Sequence, residues 1–249
     1  MRKIMSKRVV SLLLALLFIV PLMFLATACG ENDPKVAKVS SYTELVEALK
    51  GDKQTIKLEK DIDFDKSLQI NRTVTVDLNG KTLKGDGYDG VFYVSVGGDL
   101  TIKGNGNVIA NGGFDANDTN HKSEFAMAVW ANGGKVTING GKFSQITVNG
   151  DSQYDMIYAS DYTNKTTGEV THAEITILSG EFESVTPKWT LNINDKAVES
   201  KFIVKGGVFK GYNPAEAMTE PTSPVNFVAE GYKSVLIEGT TDYKVVKKA

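Results

Sequence analysis

The residues of this 249-residue chain that have the chemistry to form a site fall into a few short runs. Asp115-Ala-Asn-Asp-Thr-Asn120 brings Asp115, Asn117 and Asp118 together as oxygen donors that a calcium ion accepts. The run lacks the glycine and the later glutamate of a full calcium loop, and a turn built on Asx side chains accounts for the same residues. Asp61, Asp63 and Asp65 alternate with Ile62 and Phe64, as the solvated face of a strand does. His121 and His172 have no partner at metal-ligand spacing, whereas zinc needs three or four ligands. No Gly-x-Ser-x-Gly elbow occurs, and the single cysteine, Cys29, lies near the N-terminus.

The aromatic residues carry a more specific signal. Trp130 in Ala128-Val-Trp-Ala-Asn132 and Tyr158 in Ile157-Tyr-Ala-Ser160 take the same place in successive repeats, with Asn132, Asp155 and Asp161 nearby. Facing outward, two flat rings about 5 Å apart give a surface on which a sugar ring stacks. Facing inward, they are core.

The elements that position these residues are read from one phrase that recurs six times. It runs Thr73-VTVDLNG, Asp99-LTIKGNG, Lys135-VTINGGKF, Glu174-ITILSGEF, Lys201-FIVKGGVF and Ser234-VLIEG. Alternation of apolar and polar residues ending at glycine predicts a half-buried strand, with Val74/Val76, Leu100/Ile102, Val136/Ile138, Ile175/Ile177, Phe202/Val204 and Val235/Ile237 pointing inward. A second strand precedes the later phrases, at Val91-FYVSV, Ala126-MAVWAN, Met156-IYAS, Thr190-LNIND and Asn226-FVAEG. A third, shorter segment carries Gly-x-Phe at Phe143, Phe182 and Phe209. Phrase starts are spaced by 26, 36, 39, 27 and 33 residues, so the excess over 26 lies in insertions at the corners beside the second strand. Ahead of the strands, Ser41-YTELVEALK50 places Tyr42, Leu45, Val46 and Leu49 on one helical face. Ser41 and Glu44 form a capping box there, which predicts a helix that covers the open end of the stack.

Residues 1–28 combine Arg2, Lys3, Lys7 and Arg8 with an apolar run from Val9 to Leu25 and small residues at Ala26-Thr-Ala28. This segment resembles a bacterial lipoprotein signal, which implies that Cys29 is lipidated and becomes the new N-terminus, holding the protein to the cell envelope. It departs from that family in having Ala26 where Leu is usual; Leu25 comes one place earlier. Ordinary cleavage at the same bond and an uncleaved anchor are the alternative readings. The organisation read from the sequence is therefore a signal at 1–28, a polar tether at 29–38 and one domain at 39–249. Removing the four positive charges of the signal takes the net charge from −2 to −6, which argues against a nucleic-acid partner.

The run Ser41-YTELVEALK, followed by IKLEKDIDF and VTVDLNGKTLKG, resembles the start of pectate-lyase-like proteins of the bacterial surface. The later GGKVTINGGKF resembles their repeated coils. The resemblance covers roughly residues 39–249. It implies an all-β fold, a single-stranded right-handed parallel β-helix (a solenoid) with a short N-terminal capping helix. Lyases of that family typically use an arginine base beside aspartate-bound calcium, but Arg72 is the only arginine beyond the signal, and it lies away from the insertions. The related hydrolases use an Asp-Asp pair and a Gly-His-Gly, and neither occurs here. The sequence reading is thus a non-catalytic, lipid-anchored surface protein that binds a glycan or a protein and needs no cofactor, with calcium as the one candidate. The alternative is a polysaccharide lyase or glycoside hydrolase with an atypical site around Asp115, Asp118, Glu124, Asp155 and Tyr158.

Overall fold

The structure, a computed structural model, describes residues 33–86, 89–112, 126–147, 155–220 and 224–249. The chain divides between Pro34 and Lys35, and all that follows concerns the second unit. Among the described residues it is an all-β repeat structure, mostly of parallel strands, with one α-helix, α1 (Tyr42–Lys50), and a 3-10 turn at Pro187–Trp189. Among the described residues no helix is long and apolar enough to cross a membrane.

Each repeat contributes three segments, and each segment pairs in parallel with its counterpart in the next repeat. The recurring phrase forms the first stack: Thr55–Leu58, Thr73–Asp77, Asp99–Lys103, the first part of Lys135–Thr147, the first part of Glu174–Glu183, and Lys201–Val204. Val74 lies against Leu100, Leu100 against Val136, Val136 against Ile175, and Ile175 against Phe202. All five are buried, as the alternation predicts.

The second stack comprises Ile62–Phe64, Lys81–Gly85, Gly106–Gly112, the latter parts of the two long strands, and Val208–Phe209. Its inward column reads Ile62, Leu83, Val108, Phe143, Phe182, Phe209. The last three rings are fully buried and stack nearly parallel, with centroids 5.1 and 4.8 Å apart. The chain bends from the first stack into the second at the glycine that ends each phrase. Gly140 has φ +124°, and a Cβ there would come within 2.7 Å of the Gly104 carbonyl oxygen of the repeat below. Only a residue without Cβ permits that approach.

The helix α1 forms where its capping box predicts. Ser41 Oγ accepts the Glu44 N–H at 3.3 Å, and Glu44 Oε2 accepts the Ser40 N–H at 2.7 Å. Leu45 and Leu49 are buried, while Tyr42 and Val46 pack against the core. The last carbonyls of a helix have no partner within it. Here Arg72 supplies one: its Nε donates to Leu49 O at 2.7 Å and its Nη2 to Ala48 O at 2.9 Å. Arg72 thus has a helix C-terminal role, in which the guanidinium also faces the negative end of the helix dipole.

Two expectations for the C-terminus give way. The sixth phrase does not add a parallel rung. Tyr232–Leu236 instead pairs antiparallel with Tyr243–Lys247, which pairs antiparallel with Val208–Phe209. Val235 and Ile237 are only half-buried. The second strand expected at Asn226 is reduced to one parallel bridge, Val204 with Val228. Alternation specifies a half-buried strand but not the direction of its partner, and this hairpin closes the ladder.

Replacing the central ring of the phenylalanine column, Phe182→Ala, removes stacking on both sides and leaves a cavity. A loss of about 3–5 kcal/mol in unfolding free energy is expected, measured by denaturant titration.

Candidate functional site

The third stack places the aromatic residues. Leu68–Ile70, Phe92–Val94, Val129–Asn132, Ile157–Ser160 and Leu191–Ile193 pair in parallel. Their inward residues, from Leu68 and Ile70 to Leu191 and Ile193, are buried aliphatic or Phe side chains and alanines. Outward, the register aligns Gln69, Tyr93, Trp130, Tyr158 and Asn192 in one column. Two residues further along each segment stands a second column of Asn71, Ser95, Asn132, Ser160 and Asn194.

Of the two orientations open for Trp130 and Tyr158, the structure takes the outward one, with both residues half-buried. The rings do not form a flat platform. Trp130 meets Tyr158 at 61° with centroids 6.0 Å apart, and meets Tyr93 nearly edge-on at 88° and 5.1 Å. Hydrogen bonds to the next repeat hold each ring by its polar tip. Trp130 Nε1 donates to Ser160 Oγ at 2.7 Å, Asn132 Nδ2 donates to Tyr93 OH at 2.6 Å, and Asn194 Nδ2 donates to Tyr158 OH at 2.7 Å. Ser160 Oγ in turn donates to Asn132 Oδ1 at 3.2 Å. A ring fixed in this way loses little further freedom when a ligand settles on it.

None of the ten outward residues of this stack is charged. The other stacks differ. Their outward positions carry ion pairs such as Lys103–Asp77 at 3.8 Å, Lys201–Glu174 at 2.9 Å and Lys142–Glu181 at 3.2 Å. The third stack is thus a neutral strip of rings, amides and hydroxyls.

Asp155 and Asp161, expected beside the rings, flank the strip instead of lining it. Asp161 Oδ1 accepts from Ser200 Oγ at 2.6 Å, and its Oδ2 lies 3.0 Å from His172 Nδ1. It ties down the short hairpin of Tyr162–Thr163 and Val170–Thr171, so His172 has a partner that spacing alone did not reveal. Asp155 is 8% exposed; its Oδ1 accepts from Asn192 Nδ2 at 3.0 Å. The same nitrogen donates to Glu220 Oε1 at 3.0 Å, and Asn192 Oδ1 accepts the Glu220 N–H at 3.1 Å. Burial raises the Asp155 carboxyl to about 7; the Asn192 hydrogen bond opposes this and the Glu220 charge adds to it. Burial also pushes the Tyr158 phenol up, so it stays protonated while it accepts from Asn194.

Sequence reasoning missed Gln69 and Tyr93, whose column appears once the repeats are aligned through the phrase that follows each. It also missed Gln145, a buried residue that ties three corners together. Gln145 Nε2 donates to Ala126 O at 2.8 Å and to Asp155 O at 3.3 Å, while its Oε1 accepts from Ser184 Oγ at 2.8 Å and from the Val185 N–H at 3.1 Å. Asp115, Asn117, Asp118, His121, Glu124 and Cys29 lie outside the described residues. Among the described residues no group of three or more His, Cys, Asp or Glu is placed to hold a metal. No protein-family model, curated protein or solved structure matches this chain.

Asp155 binds its proton more tightly in the folded protein than in the unfolded chain, where its value is near 3.8. Its contribution is fully present below pH 4 and is lost as pH rises to about 7. Unfolding free energy should therefore fall over that window by a component on the order of 4 kcal/mol. Asp155→Asn, which keeps the acceptor for Asn192, should remove this component in denaturant titrations at a series of pH values.

Proposed function

We propose that this protein is a non-catalytic, lipid-anchored surface protein of the bacterial envelope whose right-handed parallel β-helix binds a neutral glycan along its third stack. The single observation that carries this reading is the uncharged strip of Tyr93, Trp130 and Tyr158 flanked by amides and hydroxyls, set between stacks rich in ion pairs. Sugar rings offer C–H faces to aromatic rings and hydroxyls to amides, and they need no charge. A protein partner would meet a more apolar, close-packed core inside a polar rim. The lipid anchor rests on Cys29 and the basic, apolar and small-residue order of residues 1–28. The β-helix reading rests on the resemblance and on three parallel segments per repeat.

The carboxylates of Asp155 and Glu220 bear on a second, enzymatic reading. Their oxygens each lie 3.0 Å from one nitrogen and so no more than about 6 Å apart, which leaves only the roughly 5–5.5 Å spacing of retaining glycosidases open. Access favours binding: Asp155 is 8% exposed and its neighbour Asn192 is wholly buried.

A glycan array probed with the full chain in detergent should give a signal for neutral glycans that is insensitive to ionic strength. Trp130→Ala should weaken it at least tenfold, about 1.4 kcal/mol. A signal confined to acidic glycans, or one untouched by Trp130→Ala and Tyr93→Ala together, would overturn the reading, as would release of sugar from the bound glycan. Incorporation of labelled palmitate should be lost in Cys29→Ser.

A further inference from the structure

The strip has two ends, and they differ. At the last repeat, Asn192 spends both amide hydrogens on Asp155 and Glu220 and its oxygen on the Glu220 N–H, so it is wholly buried. Glu220 is held again by the Asp195 N–H at 2.9 Å, and Tyr212 donates to Leu191 O at 3.3 Å from the same returning segment. That segment closes the column. At the first repeat, Gln69 and Asn71 are exposed, and both line a cavity of about 750 Å³.

The cavity has α1 as its far wall, with Tyr42, Val46 and Lys50 facing it. Arg72, directly after Asn71, fixes that wall through the helix carbonyls. Leu49, Asp65, Lys66, Ser67 and Asp89 complete the lining. The Gln69 side chain hydrogen-bonds the Asp89 carboxyl, which ties the end of the neutral column to the charged floor. Between Gln69 and Asn192 there are four strand spacings, about 19 Å in all. The strip is therefore uncharged along its length and bounded by charged groups at both ends, Asp155 and Glu220 beside Asn192 and Asp65, Lys66 and Asp89 beside Gln69, and it meets the cavity only at the α1 end.

Resting on the glycan reading above, we propose that the cavity at α1 is a terminal subsite that holds the last sugar unit of a short neutral glycan. A sugar within a chain has its linkage oxygens substituted on both sides, whereas a terminal unit keeps a further free hydroxyl beside its neighbours. Carboxylates accept from adjacent hydroxyls with both oxygens, and ammonium groups donate to hydroxyl oxygens. Asp65, Asp89 and Lys66 supply these groups at the end of the strip that meets the cavity, against α1. As the far wall of that cavity, α1 also stands in the way of a polymer that would run straight on past the end of the strip.

The test is isothermal titration calorimetry of the full chain in detergent with cellohexaose, maltohexaose and mannohexaose, each beside a soluble polymer of the same linkage. One hexaose should bind, and its polymer should match it per mole of chains rather than per mole of sugar units. Asp89→Asn should lower hexaose affinity at least tenfold, with the circular dichroism melt unchanged. Polymer binding in proportion to sugar units, or full affinity in Asp89→Asn while Trp130→Ala abolishes binding, would overturn the terminal subsite and leave the strip standing. Absence of binding to all three series would overturn both.

Discussion

Parallel, in-register pairing of each repeat on the one before is the constraint from which the other features follow. Backbone ladders align like positions at a spacing of about 4.8 Å, so a residue chosen once is chosen for a whole column. Inward, the rule produces the column of Phe143, Phe182 and Phe209. Outward, it produces the column from Gln69 to Asn192. The glycine corners are part of the same constraint, because a side chain at Gly140 would collide with the repeat beneath and break the ladder.

The column rule also separates the chemistry of the stacks. Charges on the first and second stacks meet opposite charges one repeat away, as in Lys142 with Glu181 and Lys201 with Glu174, and exposed pairs of this kind contribute little to stability. The third stack has no such pairs, and its polar tips satisfy one another along a diagonal from each repeat to the next. Charge enters it only at the flanks and ends. One of those charges, on Asp155, is buried against Asn192 with Glu220 beside it, and the raised carboxyl is the electrostatic consequence.

Much of the fold was legible because period-two alternation and a terminal glycine are local properties. Val136 and Ile138 could be placed inward, and Ser41 and Glu44 could be paired across the start of α1, from sequence alone. What was not legible depends on partners remote in sequence. Arg72 finds the carbonyls of Ala48 and Leu49 only because the first repeat folds under the helix. Asn192 and Glu220 are 28 residues apart and meet across a returning segment. The Trp130 and Tyr158 alignment was readable, but not the angle of the rings, which Ser160 and Asn194 set. Tyr232–Leu236 reads like its predecessors yet pairs the other way, since the identity of a strand's partner is not written in its own alternation.

Gln145 touches the corner before Val129 through Ala126, the corner before Ile157 through Asp155, and the following repeat through Ser184 and Val185. One side chain thus fastens the points at which the connecting segments re-enter the stack. The entry points at Ala126 and Asp155 are therefore held to each other, and to the following repeat, by contacts of Gln145 and not by the chain that leads to them. The column from Gln69 to Asn192 is thus set by the frame itself, through the ladder and this one amide.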